Sequence, residues 1–213
     1  IEKSRNLMTV RLADKIGMKK IIKTLREFGI NYGVNEQLSM SLGSGVTSLL
    51  DITNAYAMIA NGGIEIQPKI VSSIFSKEGK ILFNSNNKIC LKCNIDTIDL
   101  KNLEIPKILK KDKFVIDPKI AYQITSMMEG VVKRGTAKKL NELNVTIAGK
   151  TGTTNENKDA WFIGYTPDIV VGIYVGFDKP KSLGYKQTGS SVAVPIFKKL
   201  SNKININAMN IPF

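Results

Sequence analysis

The chain has 213 residues, of which 43% are hydrophobic, and this is enough for one sizeable domain with a buried core. Its 31 Lys and Arg against 18 Asp and Glu give a net charge of +13, but these residues are scattered in ones and twos, so no specific nucleic-acid partner is predicted. The chain has no His, which excludes Ser-His-Asp and Cys-His mechanisms and a His-ligated zinc site within these residues. Neither a metal site nor a cofactor is predicted.

Neither targeting segments nor cysteines indicate a function for the chain. No stretch approaches the roughly 18 uncharged apolar residues that a membrane span needs. The chain begins at Ile1 rather than Met, so we expect further sequence upstream of it. Cys90 and Cys93 form a C-x-x-C with no second pair to complete a zinc site. Because the surroundings also lack a thioredoxin-like pattern, we interpret them as an incidental thiol pair.

The first third of the chain has apolar residues at helical spacing. One helix is predicted to end at Gly17 and a second at Gly29. A third is predicted to begin at Ser48, where Asp51 three residues later completes a capping box. The Asn-Gly-Gly run at 61–63 ends it.

Residues 64–116 have a different pattern. Short β-rich pieces at 70–75 and 80–83 surround a Lys-Glu-Gly turn at 77–79, which predicts a hairpin. A polar, Asn- and Lys-rich stretch follows and shows poor periodicity. We interpret these residues as an accessory insertion, with a weak core, within one domain that spans 1–213.

The remainder predicts a helix and then a sheet. Asp117 and Pro118 are a helix start, and Gly135 ends that helix. Strands are predicted at 145–154, 160–165 and 169–177, and the short turns between them make the sheet antiparallel. A last helix begins near Val194. The predicted buried face of the helix after Asp117 consists of Ile120, Ile124, Met127, Met128, Val131 and Val132.

Taken in order, helices followed by a compact sheet predict an α/β (α+β) fold, with an antiparallel sheet flanked by helices. Four aromatic residues of the sheet region are interpreted as core or cleft wall and not as a platform for stacking bases. They are Trp161, Phe162, Tyr165 and Phe177.

The sharpest chemical motif is Gly-Lys-Thr-Gly-Thr-Thr at 149–154, inside a predicted strand. Lys150 would place a positive charge near a reacting hydroxyl or a substrate carboxylate. Gly152 would let an extended peptide pair with this strand, and Thr151 and Thr153 would add hydroxyls. A phosphate-binding loop is excluded, because that motif needs a glycine where this chain has Asn144 and a helix where a strand follows.

Lys150-Thr151-Gly152 resembles the K-T-G motif of the penicillin-recognising serine acyltransferases, and the Ser-Arg-Asn at 4–6 resembles their S-x-N motif. Other stretches resemble class A (bifunctional) penicillin-binding proteins in the same order, over nearly the whole chain. They include Leu-Gly-Ser at 42–44, Arg-Gly-Thr at 134–136, Asp-Ala-Trp-Phe-Ile-Gly-Tyr at 159–165 and Gln-Thr-Gly at 187–189.

The resemblance implies a β-lactamase/transpeptidase-like fold and a cleft that binds peptidoglycan stem peptides and β-lactams. In it, Ser4 would relay protons, Asn6 would bind a substrate amide and Lys150 would polarise this network. Thr151, Gly152 and Thr153 would hold the substrate backbone and carboxylate. A plain helix cap is the alternative role for Ser4 and Asn6.

One departure from the family concerns the nucleophile. The family's S-x-x-K serine precedes S-x-N, whereas the single S-x-x-K string here, Ser-Asn-Asn-Lys at 85–88, follows it in a stretch of low helix propensity. We therefore expect no nucleophile among these residues, and we expect the N-terminal part of the fold to be missing and to act as the partner of this fragment. An apolar sheet face or edge would then be left uncovered.

Three functions remain open. The chain is part of a D,D-transpeptidase that cross-links stem peptides and is inactive alone, a non-catalytic remnant of a disrupted gene, or a basic binding module. For the first, the resemblance implies a place at the periplasmic face of the bacterial inner membrane.

Overall fold

The computed structural model describes residues 1–85, 89–91, 107–109, 112–204 and 213. The chain divides into two compact units, one of residues 1–66 and 114–213 and one of residues 67–113. Cys93 and residues 86–88 lie outside the described residues, so the predictions for the thiol pair and for most of the S-x-x-K string concern residues that are not described. The interpretation of 64–116 as an accessory insertion remains a prediction.

Helices dominate the first unit and confirm the predicted helical first third of the chain. The predicted stops are also confirmed, since Gly17 and Gly29 both have positive φ angles, of 89° and 83°, which side chains disfavour. The described helices are α1 (Asn6–Ile16), α2 (Met18–Glu27), α3 (Leu49–Ala60), α4 (Pro118–Lys133) and α5 (Val194–Lys203).

Two helix starts follow from their capping residues. Ser48 Oγ accepts the backbone N–H of Asp51 at 3.0 Å and donates to the Asp51 carboxylate at 2.7 Å. Ser48 is therefore the N-cap of α3, but only this half of the predicted capping box forms, because the Asp51 carboxylate meets the Ser48 hydroxyl instead of the Ser48 backbone N–H. Asp117 accepts the N–H of Lys119 at 2.7 Å, and Pro118 follows it as the first residue of α4. Both predicted starts are confirmed.

The described strands form three small antiparallel sheets. In the first unit, β5, β6 and β7 are joined in that order, so the predicted antiparallel sheet is confirmed. Its outer strands are shorter than predicted, because the pairing begins at Ala148 and ends at Val175. The described strands are β1 (Ser73–Phe75), β2 (Ile81–Asn84), β3 (Ile89–Leu91), β4 (Lys107–Leu109), β5 (Ala148–Thr153), β6 (Ala160–Tyr165) and β7 (Val170–Val175).

Helices pack on both faces of the β5–β6–β7 sheet. On one face, Phe162 meets Phe197 of α5 edge to face, with ring centroids 5.0 Å apart, inside the largest buried cluster. On the other face, Tyr165 packs against Met128 of α4, and its hydroxyl hydrogen-bonds Thr125 at 2.9 Å. Phe162 and Tyr165 are fully buried, as predicted. This two-sided core fixes the sheet and therefore the position of β5.

The predicted buried face of α4 was wrong at two positions. Ile120 and Met127 are 49% and 44% exposed. Met128, Val131 and Val132 are buried as predicted. In the first half of the helix the buried positions are instead Ala121 and Thr125, each one residue after the predicted Ile120 and Ile124, so that the smaller side chains lie inward there.

The second unit contains the predicted hairpin. Strands β1 and β2 pair antiparallel, with Ile74 opposite Phe83 and an irregularity in register before Phe75. Residues 70–72, predicted as part of the first strand, precede it. The backbone N–H of Ser85, directly after β2, donates to the Ser72 carbonyl at 2.8 Å.

Candidate active site

Strand β5 carries the Lys-Thr-Gly-Thr run and stands at the end of the described three-stranded sheet. The half-buried Lys150 lies opposite Ile163 of β6. Its Nζ donates to Ser4 Oγ at 2.5 Å and to the Thr151 carbonyl at 2.8 Å. The structure therefore places in direct contact two residues that are 146 positions apart in the chain.

The position of Lys150 alters its chemistry. Partial burial lowers the pKa of its ammonium group below the ordinary value, because the charged form loses hydration. The group therefore gives up a proton more readily than a solvated lysine. A hydroxyl within hydrogen-bond distance of such an amine is suited to proton relay, as general acid–base catalysis requires.

A tight turn before α1 presents Ser4. Its N–H donates to the Ile1 carbonyl at 3.2 Å, and its φ angle is 47°, a left-handed conformation that is uncommon outside glycine. The N-cap residue of α1 is Arg5, with no side-chain hydrogen bond at the cap. The alternative role of Ser4 or Asn6 as a helix cap is therefore wrong. Asn6 is exposed at the first turn of α1.

The two threonine hydroxyls of the motif are bound within the protein. Thr151 Oγ1 hydrogen-bonds Thr136 Oγ1 at 2.7 Å, and Thr153 Oγ1 accepts the N–H of Gly189 at 3.0 Å. Because side chains alternate along a strand, both threonines lie on the sheet face opposite that of Lys150. Their predicted role in holding a substrate remains a prediction. The exposed Thr153 accepts in its contact and keeps a hydroxyl proton to donate, whereas in the Thr151–Thr136 pair either hydroxyl can be the donor.

Gly152 shares the face of Lys150 and has little room for a side chain. A Cβ atom there would lie 3.1 Å from Cβ of Trp161, its partner in β6. At Gly189 the backbones come closer still, since a Cβ would lie 2.5 Å from the Gly152 carbonyl oxygen. Both glycines are required by close approach of backbone or side chain.

An aromatic pair continues the Lys150 face across the sheet. The rings of Trp161 and Tyr174 are 4.6 Å apart and tilted by 52°. Tyr174 donates its hydroxyl to Asp159 at 2.9 Å, a bond that raises the pKa of Tyr174. Trp161 is half-buried, consistent with the predicted core or cleft wall, whereas Phe177, predicted with it, is 48% exposed because it lies beyond β7.

Three residues that support the motif were not predicted as part of the site. Thr136 contacts Thr151, Gly189 contacts Gly152, and Ser190 Oγ donates to the Thr136 carbonyl at 2.6 Å. Thr136 and Gly189 belong to stretches noted only for their family likeness. Nothing in their local pattern indicates these contacts, which depend on how distant loops pack behind β5.

The described residues contain neither a cluster of metal-ligand side chains nor a membrane-spanning helix. Within ranges 1–85, 89–91, 107–109, 112–204 and 213, no three His, Cys, Asp or Glu side chains cluster as metal ligands would. Among the helices of the same ranges, none has the length and apolar character of a membrane span.

Comparison with known proteins identifies this arrangement. Residues 1–202 match the family model for the penicillin binding protein transpeptidase domain. Penicillin-binding protein 1A of Rickettsia prowazekii is 48% identical over 215 residues, covering 100% of this chain and 27% of that protein. The chain therefore spans about a quarter of the length of that curated relative.

Solved structures agree with the sequence comparison. Penicillin-binding protein 1A from Haemophilus influenzae superimposes with a TM-score of 0.83 at 27% identity, covering 100% of this chain and 34% of that one. PonA1 from Mycobacterium tuberculosis, solved in complex with penicillin V, gives 0.63 at 26% identity, covering 85% of this chain and 44% of that one. The predicted transpeptidase-like fold is confirmed, and the chain belongs to the penicillin-binding protein transpeptidase domain family.

Proposed function

We propose that these residues form part of a peptidoglycan D,D-transpeptidase, with a nucleophilic serine that lies outside them. The observation that carries the proposal is the 2.5 Å contact between Lys150 Nζ and Ser4 Oγ beside an edge strand. A serine of the S-x-x-K motif attacks the D-Ala-D-Ala end of a stem peptide and is acylated. The acyl group then passes to an amine of a neighbouring stem, and β-lactams trap the acyl-enzyme, in keeping with the penicillin V complex of PonA1.

In this proposal each site residue has a defined task. Ser4 relays protons between the attacking serine and the substrate, and Lys150 polarises Ser4 through its ammonium group. Asn6, two residues further on, binds a substrate amide. The β5 edge pairs with the extended stem peptide through Gly152, where a Cβ atom would crowd Cβ of Trp161 at 3.1 Å.

The serine at 85 does not fit the nucleophile. It follows the end of a hairpin strand, and its carbonyl accepts a hydrogen bond from Lys69. A nucleophile whose lysine lies one helical turn later must begin a helix, and Ser85 is not helical.

Helix α1 supports a nucleophile from another segment. Leu7, Met8 and Leu12 are 63%, 62% and 59% exposed, and so they present apolar surface directly after the Ser4 turn. A further segment of the domain that covers this surface would bring its serine to the Ser4 end of α1. The uncovered surface expected from the sequence was a sheet face or edge, and that expectation remains a prediction beside the exposed apolar side chains of α1.

Labelling with a fluorescent penicillin tests the proposal. We expect the complete protein encoded by the gene to form a covalent adduct, and the 213-residue chain alone to form none. The variant Ser85→Ala of the complete protein is the matched control and should label like the unchanged protein. Labelling of the 213 residues alone that is abolished by Ser85→Ala would contradict the proposal.

The same experiment separates the alternatives. A complete protein that stays unlabelled would favour a non-catalytic remnant, and co-expression with the upstream part tests whether two separate pieces dock. A basic binding module would bind RNA or DNA in a salt-sensitive way at moderate ionic strength. For the transpeptidase, the site of its substrate places the domain at the periplasmic face of the bacterial inner membrane.

A further inference from the structure

An ion pair joins the Ser4 turn to the end of α4. Glu2 and Arg134 form two parallel hydrogen bonds, from Arg134 Nε to Glu2 Oε2 at 2.9 Å and from a terminal Arg134 nitrogen to Glu2 Oε1 at 2.5 Å. Such a two-point pair fixes orientation as well as distance. The two residues are 132 positions apart, so the pair is a tertiary contact and not a local helix pair.

Two glycines make room for Glu2. A Cβ at the buried Gly130 would lie 2.2 Å from Glu2 Oε1, and one at Gly135 would lie 2.5 Å from the Glu2 carbonyl oxygen. That carbonyl also accepts the N–H of Thr136 at 3.3 Å. Side chain and backbone of residue 2 are therefore both held in a space that only glycines leave open, which distinguishes this pair from a chance surface contact.

The same loop reaches both halves of the site. Thr136, two residues after Arg134, contacts Thr151 on β5, next to Lys150. On the other side, Glu2 precedes Ser4 by two residues in the tight turn that Ser4 closes with its N–H. The end of α4 and the loop after it thus contact both the Ser4 turn, through Arg134, and strand β5, through Thr136.

We propose that Glu2 and Arg134 are positioning residues that hold Ser4 at hydrogen-bond distance from Lys150, an inference that rests on the proposed transpeptidase function. The side chains of Arg134 and Glu2 are 66% and 29% exposed, and exposed pairs contribute little to stability. The effect of the pair should therefore appear in the rate of acylation more than in the melting temperature.

A mutant cycle in the complete protein tests this inference. The variants Arg134→Gln, Glu2→Gln and the double variant remove the charges but keep polar side chains of similar length. We expect each single change to slow acylation by the fluorescent penicillin about ten-fold, because small misplacements of catalytic groups have effects of this order or larger. The double variant should be no slower than the slower single one, and Arg134→Lys should recover part of the rate.

Lys133→Gln is the matched control, because Lys133 is also in the last turn of α4 but pairs with Glu129 of the same helix. It should acylate within about two-fold of the unchanged protein, because the Lys133–Glu129 pair stays within one helix and such i,i+4 pairs contribute little energy. Unchanged acylation in Arg134→Gln, or equal losses in Lys133→Gln, would overturn the inference. Melting temperatures check that each variant is folded.

Hydrogen exchange gives a readout that does not depend on activity. In Arg134→Gln, the amides of residues 1–6 and of Thr136 should exchange faster than in the unchanged protein, and in Lys133→Gln they should not. If the unchanged protein fails to react with penicillin, the proposed function is wrong, and this exchange experiment still decides whether the pair holds the turn. Equal exchange in both variants would refute the pair's role.

Discussion

The β5–β6–β7 sheet and the β1–β2 hairpin share antiparallel pairing but differ in how far their apolar side chains are buried. Both are antiparallel, and both follow from strand-like residues around a short turn. In the sheet, Phe162 and Tyr165 are fully buried. In the hairpin, Leu82 and Phe83 are 63% and 47% exposed. Strand pairing alone therefore does not bury a sheet. The Lys-Thr-Gly motif lies on β5, in the sheet that helices cover on both faces.

Removing one aromatic ring from each region shows whether the sheet and the hairpin differ in how much their packing stabilises the protein. Phe162→Ala should lower the free energy of unfolding by about 3–5 kcal/mol, because it opens a cavity against Phe197. Phe83→Ala removes the same side chain from the hairpin and should cost only about 0.5–1 kcal/mol. Urea denaturation of the two variants measures both values. Equal losses would mean that the hairpin is as well packed as the sheet.

A smaller expected effect is the pH dependence of acylation, which depends on Lys150 in the packed sheet. Burial lowers the pKa of Lys150, so its ammonium form is lost at a lower pH than that of a solvated lysine, about 10.4. If the ammonium form polarises Ser4, acylation falls as pH rises through this pKa, by roughly ten-fold per pH unit above it. The measurement is the acylation rate against pH, with the denatured fraction recorded at each point.

Lys150→Arg is the control for this pH profile, because a guanidinium stays protonated throughout the range. Its rate is expected to be lower at neutral pH and to lack the alkaline fall. An alkaline fall of the same size in Lys150→Arg would assign the titration to another group.

Local features of the fold were predictable because their causes are local. The N-cap at Ser48, the start of α4 at Asp117 and the strand over residues 160–165 each depend on a few neighbouring residues, and each is confirmed. The buried face of α4 was predicted correctly only in its second half, because in the first half Ile120 and the smaller Ala121 both fit the helical period. Which of the two is buried depends on how closely the neighbouring elements approach, and that is a property of the packed molecule.

The site also contains residues that local sequence indicates and residues that it does not. The Lys-Thr-Gly run was predictable as a functional motif, because Lys, Gly and hydroxyl residues together are unusual in a strand. Its neighbour Ser4 was identified only through family likeness, since no local pattern connects residues 146 positions apart. The Glu2–Arg134 pair escaped prediction for the same reason, although Gly130 and Gly135 stand on either side of its arginine in the chain.

A double-mutant cycle on acylation distinguishes a Lys150–Ser4 pair that acts as one unit from two residues that act independently. Lys150→Ala and Ser4→Ala are each expected to slow acylation of the complete protein by about 10²-fold or more, with melting temperatures nearly unchanged. Residues that act together are strongly non-additive, so the double variant should be slower than the worse single variant by less than about ten-fold. Losses that multiply in the double variant, or singles that acylate at the unchanged rate, would contradict the account.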